Sequence, residues 1–180
     1  MWRGVDGFGS GGYSSTLAAL GAVPVGMPVT QMAESISKGV IDGTLVPWEV
    51  VPATKLHELV KFHAEYPADN ALSTATMIFV MNKAKYDSLS PAQKKVLDDN
   101  SGRETSAAFA KVINDGDAEG RKAALARGNT VYQIAPAEVA LWRKATAPVT
   151  REWIREVSAN GMNGQQLHDQ AAALVKQYNP

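Results

Sequence analysis

Apolar residues recur along this chain with two alternating periods, and each switch between them predicts an element. Leu17 and Leu20, with Ala18 and Ala19, form a short helical pattern that ends on Gly21, a residue tolerant of a left-handed backbone. Val23, Val25 and Met27 then alternate with Pro24 and Gly26, which predicts a short strand whose proline places it at an edge or at its own end. Pro28 closes that strand. Thr30 is positioned to cap a helix in which Glu34 occupies the next turn, while Met32, Ile36 and the Val40/Ile41 pair recur at helical spacing. Gly39 and Asp42-Gly43 supply stop and turn chemistry, and Thr44, Leu45 and Val46 form a β-prone run before Pro47. Leu20 to Trp48 therefore reads as strand, helix, strand. Such a unit builds parallel sheet covered by helices, with ligands approaching the carboxyl ends of the strands.

Downstream, Val50, Leu56, Leu59, Val60 and Phe62 predict an amphipathic helix over Glu49 to His63, with Pro52 accommodated in its first turn. Ala71 to Met81, rich in threonine and in β-branched or aromatic residues, predicts a long strand. Asn82 reads as a cap or turn residue and Tyr86 as a side chain packed beneath the next helix, which Ser88 or Ser90 opens at Pro91. An apolar stripe through Val96, Phe109, Val112 and Ile113 carries that helix toward Arg127, although Gly102, Gly116 and Gly120 each weaken it by about 1 kcal/mol relative to alanine. Gly128-Asn129 ends it. Thr130 to Ile134 predicts a short strand, and Pro136 starts a helix with Val139, Leu141 and Trp142 facing inward and a kink or break at Pro148. A last helix is expected near Gly164 to Tyr178.

The strings LGAVPVGMP, TQMAESISKG and VIDGTLVPWE, with FVMNKAKYDSLSPAQKKVLDD further on, resemble the second lobe of the solute-binding proteins of tripartite ATP-independent periplasmic (TRAP) transporters, the DctP-like family. The spacing of Gly21, Pro24, Met27 and Asp42-Gly43 carries the resemblance, which extends from about Ser14 to the carboxyl terminus. It implies an α/β fold: a periplasmic-binding-protein-like lobe with a short, mostly parallel sheet flanked by helices, plus a helical carboxyl-terminal region. It also implies an organisation into a flexible glycine-rich start (1–13), a second-lobe α/β unit (14–72), and an interlobe strand, long helix, short strand and carboxyl-terminal helices (73–180). The function implied is capture of a small organic acid by lobe closure and its delivery to the membrane permease subunits of a TRAP transporter, in the periplasm and without a cofactor.

Composition narrows the alternatives. At 180 residues the chain is long enough for a substantial core, but members of the resembled family are larger, so the expectation is roughly their carboxyl-terminal half. Its start, MWRGVDGFGSGGYSS, lacks the basic and apolar runs of a signal peptide, and no apolar segment reaches the ~18 residues needed to span a bilayer. Eighteen basic and eighteen acidic residues give zero formal net charge, which offers no long-range attraction to nucleic acid. Cysteine is absent, which excludes disulfides and thiol chemistry.

Catalytic motifs are equally sparse. No serine sits in a nucleophile elbow, and GFGSGG follows no convincing strand, so it reads as linker rather than as a phosphate cradle. On one helix His57 and His63, six residues apart, would point about 240° apart, a poor metal pair that reads as solvated or capping side chains.

Binding has better candidates, and the resemblance supplies them. The family holds small acids with an arginine on the strand that opens the second lobe, through a fork of charge-assisted hydrogen bonds. Counting fifteen residues back from Gly21 reaches Asp6, so Arg3 fills that role only with a three-residue realignment. The family's position after the Met-Pro turn falls on Val29, which reads equally as a core residue at a helix start. Its polar position before the proline that follows Asp-Gly falls on Val46, which cannot hydrogen-bond. Trp48 follows, so the site favours a more apolar or aromatic ligand, with the indole as a flat wall and its nitrogen as a donor; a buried packing role is the competing reading. Thr30 and Glu49 flank these positions, Glu49 reading also as a first-turn helix charge. Two other functions stay open: a self-associating interaction module, hence a homodimer, through exposed Val29, Val46 and Trp48, and an α/β enzyme using Asp42 or Glu49 as base.

Overall fold

A computed structural model describes residues 3–6, 11–67, 71–72 and 77–178. In chain order the elements are β1 (Arg3–Asp6), α1 (Gly11–Ala19), β2 (Val23–Gly26), α2 (Val29–Ser37), β3 (Gly43–Leu45), α3 (Val50–Ala53), α4 (Leu56–Leu59) and β4 (Phe62–Glu65). They continue with α5 (Lys83–Asp87), α6 (Pro91–Asp99), α7 (Arg103–Ala126), β5 (Thr130–Gln133), α8 (Pro136–Ala159) and α9 (Gly164–Tyr178). The chain divides into two units, one formed by Met1–Leu45 with Ile134–Pro180 and the other by Val46–Gln133.

The first unit is built on a parallel sheet of order β2-β1-β3. Strand β1 comes from the glycine-rich start and pairs on one side with β2, Asp6 opposite Gly26, and on the other with β3, Asp6 opposite Leu45. The expected strand, helix, strand unit is present, and its two strands flank β1 rather than each other. Pro24 sits on an edge strand, as its missing N–H predicts. Helix α1 ends as its sequence requires, on Gly21 at φ 84°. Helix α2 buries Met32 completely, and the Thr44 hydroxyl lies 3.0 Å from its sulfur. Leu17, Ile41, Ile134 and Val139 complete the buried apolar set, with α1 packed on α8 and α8 on α9. Among the described residues, no helix is long and apolar enough to cross a membrane.

The second unit pairs β4 with β5 in parallel, Glu65 opposite Gln133, and packs α3, α4 and β5 on α7 around Val51, Leu56 and Ala124. Several expectations are corrected here. The helix over Glu49 to His63 is instead α3, α4 and β4, because Lys55 takes a left-handed conformation (φ 55°) that no helix continues through. The helix from Pro91 divides into α6 and α7 at Gly102, whose φ of 95° is open to glycine alone. Its start is as expected, with Ser90 and Gln93 exchanging side-chain and backbone bonds in a capping box. Asn82 caps α5 by accepting the Lys85 N–H, and the Tyr86 hydroxyl donates to Asp98 of α6.

Residues 71–72 and 77–81 carry no strand, and 73–76 lie outside the described residues. A β-prone run becomes a strand only beside a partner that takes its N–H and C=O groups, and neither sheet includes any of the run's described residues. Ile78, Phe79 and Val80 stand 76, 83 and 86 % exposed, with Phe79 touching Phe109 at 5.3 Å between ring centroids. In the other unit, α8 runs unbroken through Pro148, and the Thr146 hydroxyl bonds the carbonyls of Trp142 and Arg143 in the preceding turn. Val139 is buried as expected, whereas Leu141 is exposed.

Candidate functional site

The Trp48-Glu49 backbone lies on the face of α7 that carries Gly116, Asp117 and Gly120. A Cβ added at Gly120 would come within 1.9 Å of the Trp48 carbonyl oxygen, so only glycine permits this approach. The Glu49 N–H donates to Asp117 Oδ1 at 2.8 Å, and the Trp48 carbonyl accepts the Val51 N–H that begins α3. Two glycines four residues apart therefore form a flat seat in α7. Read from the sequence alone, they are only weak points in a helix.

From that seat the Trp48 indole reaches β4. Its Nε1–H donates to Glu65 Oε1 at 3.0 Å, and its ring meets the His63 ring at 4.9 Å between centroids, tilted by 33°. His63 and Glu65 are two apart on one strand and so share a face. Arg121, next to Gly120 in α7, grips the same carboxylate through Nε at 2.6 Å and one Nη at 3.3 Å. The Glu65 side chain is 15 % exposed against 45 % for Arg121, so the carboxylate is largely covered and its charge is answered by the guanidinium. The indole nitrogen is consequently engaged within the protein, its hydrogen taken by Glu65.

Asn129 Nδ2 lies 2.8 Å from the His57 carbonyl and 3.1 Å from His63 Nε2, which assigns that ring nitrogen as acceptor and the proton to Nδ1. His63 is thus half-buried and held by Asn129. Burial lowers its pKa, as does the nearby His57, against an opposing pull from Glu65. Glu49 stands at the N-terminal boundary of α3 with its carboxyl group pushed up, first by burial and then by the Asp117 carboxylate.

The remaining expected positions lie in the first unit or at its boundary. Val29 is the half-buried first residue of α2, which begins just beyond the carboxyl end of β2. Thr30 is exposed within that first turn and does not cap the helix, whose N-cap is Pro28, because the chain is already helical at Val29. Arg3 opens β1 opposite Val23, three residues before the carboxyl end at Asp6. Val46 is half-buried and is the first residue of the second unit. Of the expected residues, Trp48 and Glu49 are brought together on α7. Glu65, Arg121, Asn129 and the glycine seat escaped the sequence reading, and the i, i+4 glycine pair was the signal available.

A sequence model described as bacterial extracellular solute-binding protein, family 7 (DctP), matches residues 9–156. A TRAP solute-binding protein from Rhodoferax ferrireducens, solved in complex with copurified benzoate, is similar with a TM-score of 0.92 and 41% identity, over 99% of this chain and 55% of that one. A marine metagenome TRAP solute-binding protein specific for aromatic acid ligands, in complex with metahydroxyphenylacetate, has the same TM-score at 35% identity, over 99% of this chain and 56% of the other. The outer membrane transporter protein TsaT of Comamonas testosteroni is 27% identical over 164 residues, 89% of this chain and 48% of its own length. The chain thus spans about half the length of the relatives it matches. These similarities lend no support to a homodimer.

Proposed function

Since the chain belongs to the DctP family of bacterial extracellular solute-binding proteins, we propose that it is the second-lobe part of a TRAP transporter's solute receptor and that its solute is an aromatic carboxylate. Family members are periplasmic transport proteins rather than enzymes. The observation that carries the ligand class is the 41% identity, over nearly the whole chain, to a protein that holds benzoate. The local chemistry agrees with it: the position where the family carries a polar residue is Val46, and an indole follows two residues later. On this reading the second unit offers Trp48 as a flat apolar wall with Val46 as apolar surface and Glu49 beside them, while the first unit offers Arg3 as a fork for a carboxylate and Val29 as apolar surface with Thr30 next to it. The acid is captured by lobe closure and handed to the membrane permease.

The raised Glu49 carboxyl does not call for an enzyme. Its backbone is bonded to α7, and its perturbation follows from burial and Asp117 alone. The test is a thermal-shift titration of the whole protein with benzoate and, as comparison, acetate. Benzoate at 100 times its dissociation constant stabilises by about 2.7 kcal/mol. No response to benzoate or to other aromatic acids would sink the proposal.

A further inference from the structure

The Trp48 ring is held at two points. Its nitrogen is bonded to Glu65 and its face rests against His63, both on β4, which is itself fixed by its pairing with β5. One contact would leave the ring free to turn about the other; together they fix its position and its plane. The Glu65 carboxylate is fixed in turn by the two-pronged grip of Arg121 from α7. A nearly buried carboxylate holds its place far better with that guanidinium than without it. We infer that Glu65 and Arg121 are positioning residues that fix the Trp48 indole as a preset wall for a flat aromatic acid, and so determine selectivity for planar rings.

The inference rests on Trp48 lining the acid site. A wall whose orientation is set in advance costs less ordering on binding, and ring stacking depends on mutual orientation, which plain apolar contact does not. Loosening the ring therefore weakens a planar acid more than a puckered one of similar size.

The experiment compares benzoate with cyclohexanecarboxylate by calorimetry on the whole protein and follows ligand-free Trp48 by near-ultraviolet circular dichroism, as the difference from Trp48→Phe. Arg121→Met and Glu65→Leu are expected to lower benzoate affinity roughly 3- to 10-fold. They leave cyclohexanecarboxylate within about twofold and erase most of the Trp48 dichroism signal. Glu65→Gln retains an acceptor for the indole N–H, so it keeps most of the signal and loses less selectivity, and it remains informative if Glu65→Leu fails to fold. Equal weakening of both acids overturns the inference, since the pair is then only structural. Selectivity unchanged in Arg121→Met and Glu65→Leu, while Trp48→Leu loses benzoate, overturns it and leaves Trp48 as a ligand wall. Benzoate affinity unaffected by Trp48→Leu removes both.

Discussion

Replacing Gly120 with alanine gives the sharpest test of how Trp48 is seated. In an exposed helix the substitution stabilises by about 1 kcal/mol, because glycine loses more backbone entropy than alanine. Here the new Cβ would stand 1.9 Å from the Trp48 carbonyl oxygen and 2.6 Å from its carbon, and both are backbone atoms that no rotamer change can move. Restoring ordinary contact at 3.4 Å requires α7 and the Trp48-Glu49 segment to separate by about 1.5 Å, the difference between 3.4 and 1.9 Å. Overpacking of this kind costs about 1–3 kcal/mol, and the opened Glu49 to Asp117 bond, whose acceptor is charged, adds roughly 1.5–3 kcal/mol. After the helix-propensity gain is subtracted, the net destabilisation is about 1.5–5 kcal/mol, or roughly 3–20 °C in Tm for a domain of this size. Thermal unfolding followed by far-ultraviolet circular dichroism measures it. Gly116→Ala is the internal control: its Cβ meets the Glu49 Cβ at 3.0 Å and the Glu49 Cα at 3.9 Å, a far milder approach, and the change in stability stays within about 1 kcal/mol. A Gly120→Ala protein as stable as the wild type, or more so, refutes the close approach and with it the seat.

Three further outcomes follow from local chemistry. Ionising Glu49 opposes folding, because the native carboxyl binds its proton more readily than the unfolded one; its cost therefore grows as pH rises from about 4.5 through the raised native value. Glu49→Gln should raise Tm at pH 7 more than at pH 4, and an equal change at both would remove the assignment. His63 acts in the opposite sense: its lowered native pKa makes its contribution complete above pH 6.5 and lost as pH falls through the native value. In urea titrations between pH 7 and 5, His63→Gln should flatten the acid limb of the stability curve, and an unchanged slope counts against burial of the neutral ring. Ser90→Ala removes the acceptor for the Gln93 N–H and should cost about 1 kcal/mol, read as faster amide exchange in the first turn of α6; unchanged exchange there would contradict the cap.

Those elements whose signals are local were legible from the sequence. Gly21 ended α1, Pro24 marked an edge strand, Ser90-Pro91 opened α6 and Pro136 opened α8, each through the backbone chemistry of one or two residues. Periodicity misled where the backbone left helical geometry for reasons the apolar pattern does not record. The apolar residues from Val50 to Phe62 suggested one helix across Lys55, whose left-handed conformation interrupts it between α3 and α4. Residues 71–72 and 77–81 had strand composition, but a strand requires a neighbour, and the sequence of these residues does not supply one.

The candidate site was less legible for a related reason. Trp48 stood out because its neighbours in sequence stood out, yet what determines its behaviour lies far along the chain: Glu65 is 17 residues away, and Arg121 is 56 beyond Glu65. Glu49 meets Asp117 across 68 residues, and His63 meets Asn129 across 66. Nothing in the periodicity of α7 separates Arg121 or Asp117 from the other charged residues on that helix. Gly116 and Gly120 are different, since two glycines at helical spacing cost stability wherever they are not needed for a close approach. Their cost in α7 is the one sequence-level sign that something must lie against it. What lies there is the backbone of the tryptophan that stood out through its neighbours in sequence.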